Sequence, residues 1–151
     1  MKNTIKLNWA ILCTGTSVDQ KSNNVTLFGL VEELKIKKDI FTKLPIKKEG
    51  HSVIPIKLEL ATLWSKDYPS DKLSFSEIKI AFTSPKGRVI NELTQKLEIP
   101  EDKSRLRLIF SIGAIGIEGD GIYSFEIKLK TGESKSFVTV GKVPVYISIV
   151  D

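Results

Sequence analysis

Apolar and polar residues alternate along most of the chain, a pattern typical of β-strands with one face in a core and the other in water. The alternation is clearest from Tyr123 to Leu129. Other segments share it or are rich in β-branched and aromatic residues: 7–16, 25–37, 54–60, 73–83, 106–112, 137–140 and 143–149. The pattern predicts seven to nine strands with little or no helix.

Turn residues separate these segments. Asp19–Asn24 is wholly polar, Ser84–Gly87 places proline and glycine as a type I turn requires, and 131–134 suits a short hairpin. Short connections of this kind indicate antiparallel neighbours. Residues 88–100 fit either a helix or a strand, because Val89, Ile90, Leu93 and Leu97 would share one helical face. The longest irregular stretch is a loop from about 38 to 50.

Many short antiparallel strands predict an all-β fold, an antiparallel two-sheet β-sandwich that forms one domain over residues 1–151. Tyr123 begins a strand directly after the turn Gly119–Gly121, which is similar to the tyrosine corner of immunoglobulin-like domains. Phe125 stands where those domains carry a cysteine, so the disulfide between the sheets is not expected. The glycines of this region predict a bent strand followed by a turn.

Several short motifs carry a wider resemblance. They are Leu12-Cys13, Val25–Leu30, the strand ending near Trp64, the Pro85–Gly87 turn and the Gly121–Tyr123 step. Together they resemble an uncharacterised prokaryotic family of small immunoglobulin-like β-sandwich proteins, a domain of unknown function. The resemblance implies a cytosolic sandwich and supplies no site residues.

Composition agrees with a globular protein, since 41% of residues are apolar and 27% are charged. Cys13 is the only cysteine, which favours a reducing compartment, and we expect a cytoplasmic protein that makes no membrane contact. An alternative is a lipoprotein signal, in which Lys2 and Lys6 precede an apolar stretch that ends at Cys13. Asn8 interrupts that stretch, and Leu12 stands where a small residue is needed.

The ionisable residues argue against an enzyme. His51 is the only histidine, which excludes Ser-His-Asp, Cys-His and multi-histidine metal sites. We expect His51 to be exposed, and Cys13 and Trp64 to pack as core residues. Neighbouring acids such as Glu32 and Glu33 point to opposite faces of a strand and cannot act as a pair. The sequence therefore predicts no catalytic, cofactor-binding or metal-binding residue.

One basic segment stands out. The net charge of +5 comes from residues 35–48, where six lysines face Asp39 alone. The lysines that could contact an anion or a partner are Lys35, Lys37, Lys38, Lys43, Lys47 and Lys48. Phe41 is the only ring in the segment for base stacking. A lysine-rich edge also protects a sheet against aggregation, which is the alternative interpretation.

Two functions follow from these observations. The first is a non-enzymatic protein-interaction or self-associating module, whose sheet face or edge strand meets an unidentified protein or a second copy in a homodimer. The alternative is polyanion or nucleic-acid binding through the basic segment 35–48.

Overall fold

The computed structural model describes residues 5–46, 50–66, 74–131 and 136–151. This part of the chain folds into nine strands and one short helix. They are β1 (Ile5–Val18), β2 (Val25–Leu30), β3 (Glu33–Lys37), α1 (Lys38–Lys43), β4 (Ser52–Lys66), β5 (Ser74–Thr83), β6 (Val89–Ile99), β7 (Arg105–Ile117), β8 (Gly121–Thr131) and β9 (Val138–Val150). The predicted all-β fold is confirmed.

Two sheets pack face to face. One has four strands in the order β2-β1-β4-β7, and the other has five in the order β3-β9-β8-β5-β6. The pairings between described strands are antiparallel, as predicted, with the exception of β3 and β9. These two run parallel, with Leu34 opposite Ile147. The exception arises because the chain crosses from one sheet to the other after β2. It enters the second sheet next to β9, the last strand of the chain.

The core lies where the inner faces of the two sheets meet. On β8 the predicted alternation is confirmed, since Tyr123, Phe125, Ile127 and Leu129 are all buried. The four-stranded sheet contributes large buried side chains from β4, among them Trp64. Burying each such side chain contributes about 1.5–3 kcal/mol, so these strands dominate the stability of the fold.

Three segments are settled only by the structure. Residues 88–100, for which the sequence left helix and strand open, form strand β6 over Val89–Ile99. The segment 25–37 is two strands in different sheets, and Gly29, with φ of +60°, bends the end of the first. The segments 137–140 and 143–149 join into the single strand β9, because a register shift opposite Ile127 and Lys128 accommodates the extra residue Val140.

The loop expected over residues 38–50 begins with a helix, which corrects that prediction. Helix α1 is six residues long, with Asp39 in its first turn and Lys43 in its last. Both charges oppose the helix dipole and so stabilise a helix this short. Phe41 anchors it by packing half-buried against the core.

The turns predicted within the described ranges are confirmed, including Asp19–Asn24, where the N–H of Asn23 donates to the carbonyl of Asp19 at 2.8 Å. The N–H of Gly87 donates to the carbonyl of Ser84 at 2.9 Å, which closes the turn predicted there. The hydroxyl of Tyr123 accepts hydrogen bonds from the N–H groups of Glu118 (2.8 Å) and Gly119 (3.1 Å) and donates to the carbonyl of Gly119 (2.8 Å). Burial raises the pKa of this phenol. The predicted hairpin turn at 131–134 lies almost entirely outside the described residues.

Candidate functional site

The feature of the fold with most functional interest is a slit between strands β6 and β7. Each is the last strand of its sheet on this side of the molecule, and neither has a second hydrogen-bonded neighbour among the described strands. They follow one another in the chain, so they run in opposite directions along the open side of the sandwich. We call the space between them the slit.

The floor of the slit is apolar and belongs to the core. Both sheets supply it, with Leu60 and Phe110 from one and Ile80, Phe82 and Phe125 from the other. The volume of the slit is about 240 Å³. This is below the roughly 300–1,000 Å³ of pockets for drug-sized ligands. It exceeds the roughly 150 Å³ of an apolar cavity that binds benzene, so the slit has room for one or two apolar side chains.

The four-stranded sheet does not cover the whole core-facing side of strand β6. Asn91, Leu93 and Gln95 lie on the same face of β6 as Leu97 and Ile99, which are fully buried, because residues two apart share a face. The first three are nonetheless exposed. Core-facing positions are therefore open to solvent along this part of the slit.

The opposite rim is an edge strand without the usual charged protection. From Ile109 to Gly116, strand β7 carries eight consecutive uncharged residues and no proline. Alternate residues of an edge strand turn their N–H and C=O groups away from the sheet. Natural edges usually blunt this row of donors and acceptors with lysine, proline or a covering segment. Here the row lies open beside an apolar floor.

One end of the slit is closed by His51, which the structure buries although we expected it to be exposed. Only 7% of its surface is accessible. It fits because Gly116 has no side chain, since a Cβ there would lie 2.7 Å from His51 Cδ2 and 2.5 Å from Ile90 Cγ2. Within the described residues, His51 Nδ1 has no hydrogen-bond partner.

Lys66 closes the other end. Its amine is buried and donates to the carbonyl oxygens of Pro100 at 2.6 Å and of Ile99 and Glu101 at 3.5 Å. These carbonyls belong to the end of β6 and the turn that leads to β7. The charged amine therefore holds that turn against the end of β4.

The structure describes four of the six predicted lysines. Lys35 and Lys37 are exposed on edge strand β3, Lys38 and Lys43 are exposed on α1, and Lys47 and Lys48 lie outside the described residues. From residue 32 to 43, four lysines against Glu32, Glu33 and Asp39 leave a net charge of +1. Phe41 packs against the core and is not available for stacking.

The other residues singled out in the sequence have structural positions. Trp64 is fully buried, as predicted, and its Nε1 donates to Thr62 Oγ1 at 2.8 Å. Cys13 is also fully buried, and burial raises the pKa of its thiol. In the described ranges, no three histidine, cysteine, aspartate or glutamate side chains group as metal ligands. Nor does any described helix have the length and hydrophobicity needed to cross a bilayer.

Comparisons with known proteins add little to this geometry. No family model matches the chain, and no curated protein matches it. Among solved structures, it is similar to the crystal structure of a β-glucosidase from Listeria innocua, with 11% sequence identity and a TM-score of 0.45. The likeness covers 99% of this chain but only 17% of that one. It carries no argument about activity, and the resemblance to an uncharacterised prokaryotic family stays a prediction.

Sequence reasoning missed the slit, although one signal for β7 was present. The eight uncharged residues from Ile109 to Gly116 contrast with the charges on β3 and β6. A central strand also consists of uncharged residues, however, so such a run indicates an open edge only once the strand order is known. The exposure of Leu93 has no sequence signal, because its spacing from Leu97 and Ile99 is that of a core residue.

Proposed function

We propose that the chain is a non-enzymatic, cytoplasmic protein-interaction module that adds an extended segment of a partner protein to the free edge of β7. Strand addition of this kind gains affinity from main-chain hydrogen bonds and specificity from pockets for alternate side chains. The observation that carries the proposal is the exposure of core-facing Asn91, Leu93 and Gln95 opposite an uncharged edge strand. An added strand would extend the four-stranded sheet and cover these positions. The cytoplasmic location rests on the single cysteine.

The dimensions of the slit favour a single extended segment over a small ligand or a folded copy. Its volume of about 240 Å³ suits alternate side chains of a strand. In a folded second copy, each edge strand belongs to a sheet that is packed against another sheet. If such an edge strand paired with β7, the second sheet of that copy would lie where β6 lies. We therefore expect a partner segment in the slit, and self-association through the slit is the alternative that the experiment can detect.

The experiment uses a neutral peptide, acetyl-Thr-Val-Ser-Val-Thr-Val-Ser-Gln-amide, and fluorescence anisotropy with the full chain. We expect binding that is lost when two central residues of the peptide become proline, because proline cannot donate to the edge. We also expect Leu93→Asp to weaken binding at least tenfold, since an unpaired charge in an apolar site costs more than the 1.4 kcal/mol that this factor represents.

Val140→Asp is the matched control, because Val140 and Leu93 are each 40% exposed, and Val140 lies on β9 away from the slit. Light scattering on the same samples reports the oligomeric state. If the peptide fails to bind, or if both variants weaken binding equally, the proposal is wrong. If the native chain is a dimer and Leu93→Asp dissociates it, the occupant of the slit would be a second copy of the chain and not a partner protein.

A further inference from the structure

The charged residues of β7 are confined to one end of the strand, so the two ends of the slit differ in charge. The only charged residues of this strand are Arg105 and Arg107, both in its first three positions. The rest of the edge, toward Gly116, is uncharged. A segment added beside β7 therefore meets positive charge at one end and neutral backbone along the remainder.

Both arginines lie on the same face of β7, two residues apart, where they oppose side chains of any added strand. Arg105 is exposed. Arg107 is half-buried, with Nη2 donating to the carbonyl of Asn23 at 2.9 Å and Nε without a hydrogen-bond partner in the described structure.

The acidic residues near these arginines do not form ion pairs with them in the described structure. Glu98, Glu101 and Asp102 lie on β6 and in the turn before β7. Within the described ranges, none of them forms an ion pair with Arg105 or Arg107. A carboxylate beside β7 would approach the guanidinium groups from the open edge of the sheet.

We infer that the segment recognised by the slit is an uncharged stretch of alternating aliphatic residues followed, at its carboxyl end, by an aspartate or glutamate. The inference rests on the proposed function. In an antiparallel pairing, the carboxyl end of the added strand lies beside the start of β7, where the two arginines are. The neutral part spans the seven residues from Ile109 to Ile115, which at about 3.3 Å per residue is roughly 23 Å.

The experiment compares three peptides by fluorescence anisotropy with the full chain at low salt. The first is acetyl-Thr-Val-Ser-Val-Thr-Val-Ser-Val-Glu-amide, whose Glu points away from the valines just as Arg105 and Arg107 point away from Phe110. The second has the same residues in reverse order, and the third has Gln in place of Glu. We expect the first to bind about two- to fivefold more tightly than the other two, the size of one cross-strand charge pair. The difference should vanish at 1 M salt, where screening acts within about 3 Å.

Arg105→Glu provides a test by charge reversal. This variant should prefer a peptide ending in Lys over the one ending in Glu, with its circular dichroism unchanged because Arg105 is exposed. Equal binding of all three peptides would overturn the inference while leaving the proposed function intact. Tighter binding of the reversed peptide would also overturn it, since the pairing would then be parallel. If none of the three binds, the proposed function itself fails.

Discussion

At the scale of single residues, the slit depends on two polar side chains buried at its ends. Lys66 holds the turn between β6 and β7 through backbone carbonyls, and His51 fills the space that Gly116 leaves open. Both are unusual core residues, because lysine and histidine are seldom fully buried without a partner. Lys66 finds carbonyl partners in the described structure, whereas His51 Nδ1 does not.

The contribution of Lys66 can be measured directly. Lys66→Met keeps the apolar stem but removes the charged donor to the carbonyl of Pro100, which keeps only the N–H of Lys103 at 3.1 Å. A hydrogen bond made by a charged group contributes about 1.5–3 kcal/mol. We expect urea unfolding to show a loss of that size. Lys57→Met, an exposed lysine on the same strand, is the control and should change stability by less than about 0.5 kcal/mol. Equal stabilities for the two variants would show that the amine does not hold the turn.

The sequence allowed correct predictions for residues whose burial follows from their own strand. Trp64 and Cys13 sit among alternating apolar positions, and both are buried as predicted. His51 was predicted wrongly, because the space it occupies is created by Gly116, far away in the chain. Local periodicity reports which face of a strand is apolar, and it does not report which distant glycine leaves room for an imidazole.

At the scale of elements, the four edge strands divide by charge. The edges of the five-stranded sheet are charged, with Lys35 and Lys37 on β3 and Glu92 and Lys96 on β6. The edges of the four-stranded sheet, β2 and the greater part of β7, carry no charge. On β2 the left-handed Gly29 disturbs the edge geometry, a second means of blunting an edge. On β7 a register shift against β4 lies between Ile112 and Ala114, but the strand pairs regularly from Arg105 to Ile112. This regular stretch is thus the edge best suited to accept a strand.

The lysines of β3 should protect that edge from pairing with other molecules. Replacing Lys35 and Lys37 together by threonine keeps a strand-forming residue at both positions and removes the charge. We expect light scattering to show association that increases with protein concentration, while the double substitution Lys38→Thr and Lys43→Thr on α1 leaves the protein unchanged.

The same variants address polyanion binding through residues 35–48. If the native chain binds single-stranded oligonucleotide in a salt-dependent way and both variants lose that binding, the alternative predicted from the sequence would be supported. A β3 variant that remains monomeric at all concentrations would contradict the protective role of the lysines.

Element predictions succeeded where alternation was regular and failed at crossings between sheets. Strands β4, β7 and β8 lie where the pattern placed them. The segment 25–37 reads as one strand because both halves are apolar, yet the chain changes sheets inside it. Helix α1 was missed because a six-residue helix anchored by Phe41 alone has too few turns for a helical period to show.

At the scale of the whole molecule, the slit arises because a four-stranded sheet packs against a five-stranded one. The sandwich could be predicted from the number and regularity of strands. The strand order could not, because it depends on which long-range pairings form, and the parallel pairing of β3 with β9 has no local signal. Without the order, neither the free edge of β7 nor the uncovered face of β6 can be identified.

The central claim is that the free edge of β7 accepts an extended segment, and amide hydrogen exchange tests it most directly. Exchange is followed residue by residue with and without the neutral alternating peptide. We predict that alternate amides between Arg107 and Ile112, where β7 pairs regularly with β4, gain protection, because only every second N–H of an edge strand faces outward. Amides of β2 and β3 should keep their rates. Unchanged exchange along β7 at saturating peptide, or protection on β2 or β3 in its place, would contradict the account.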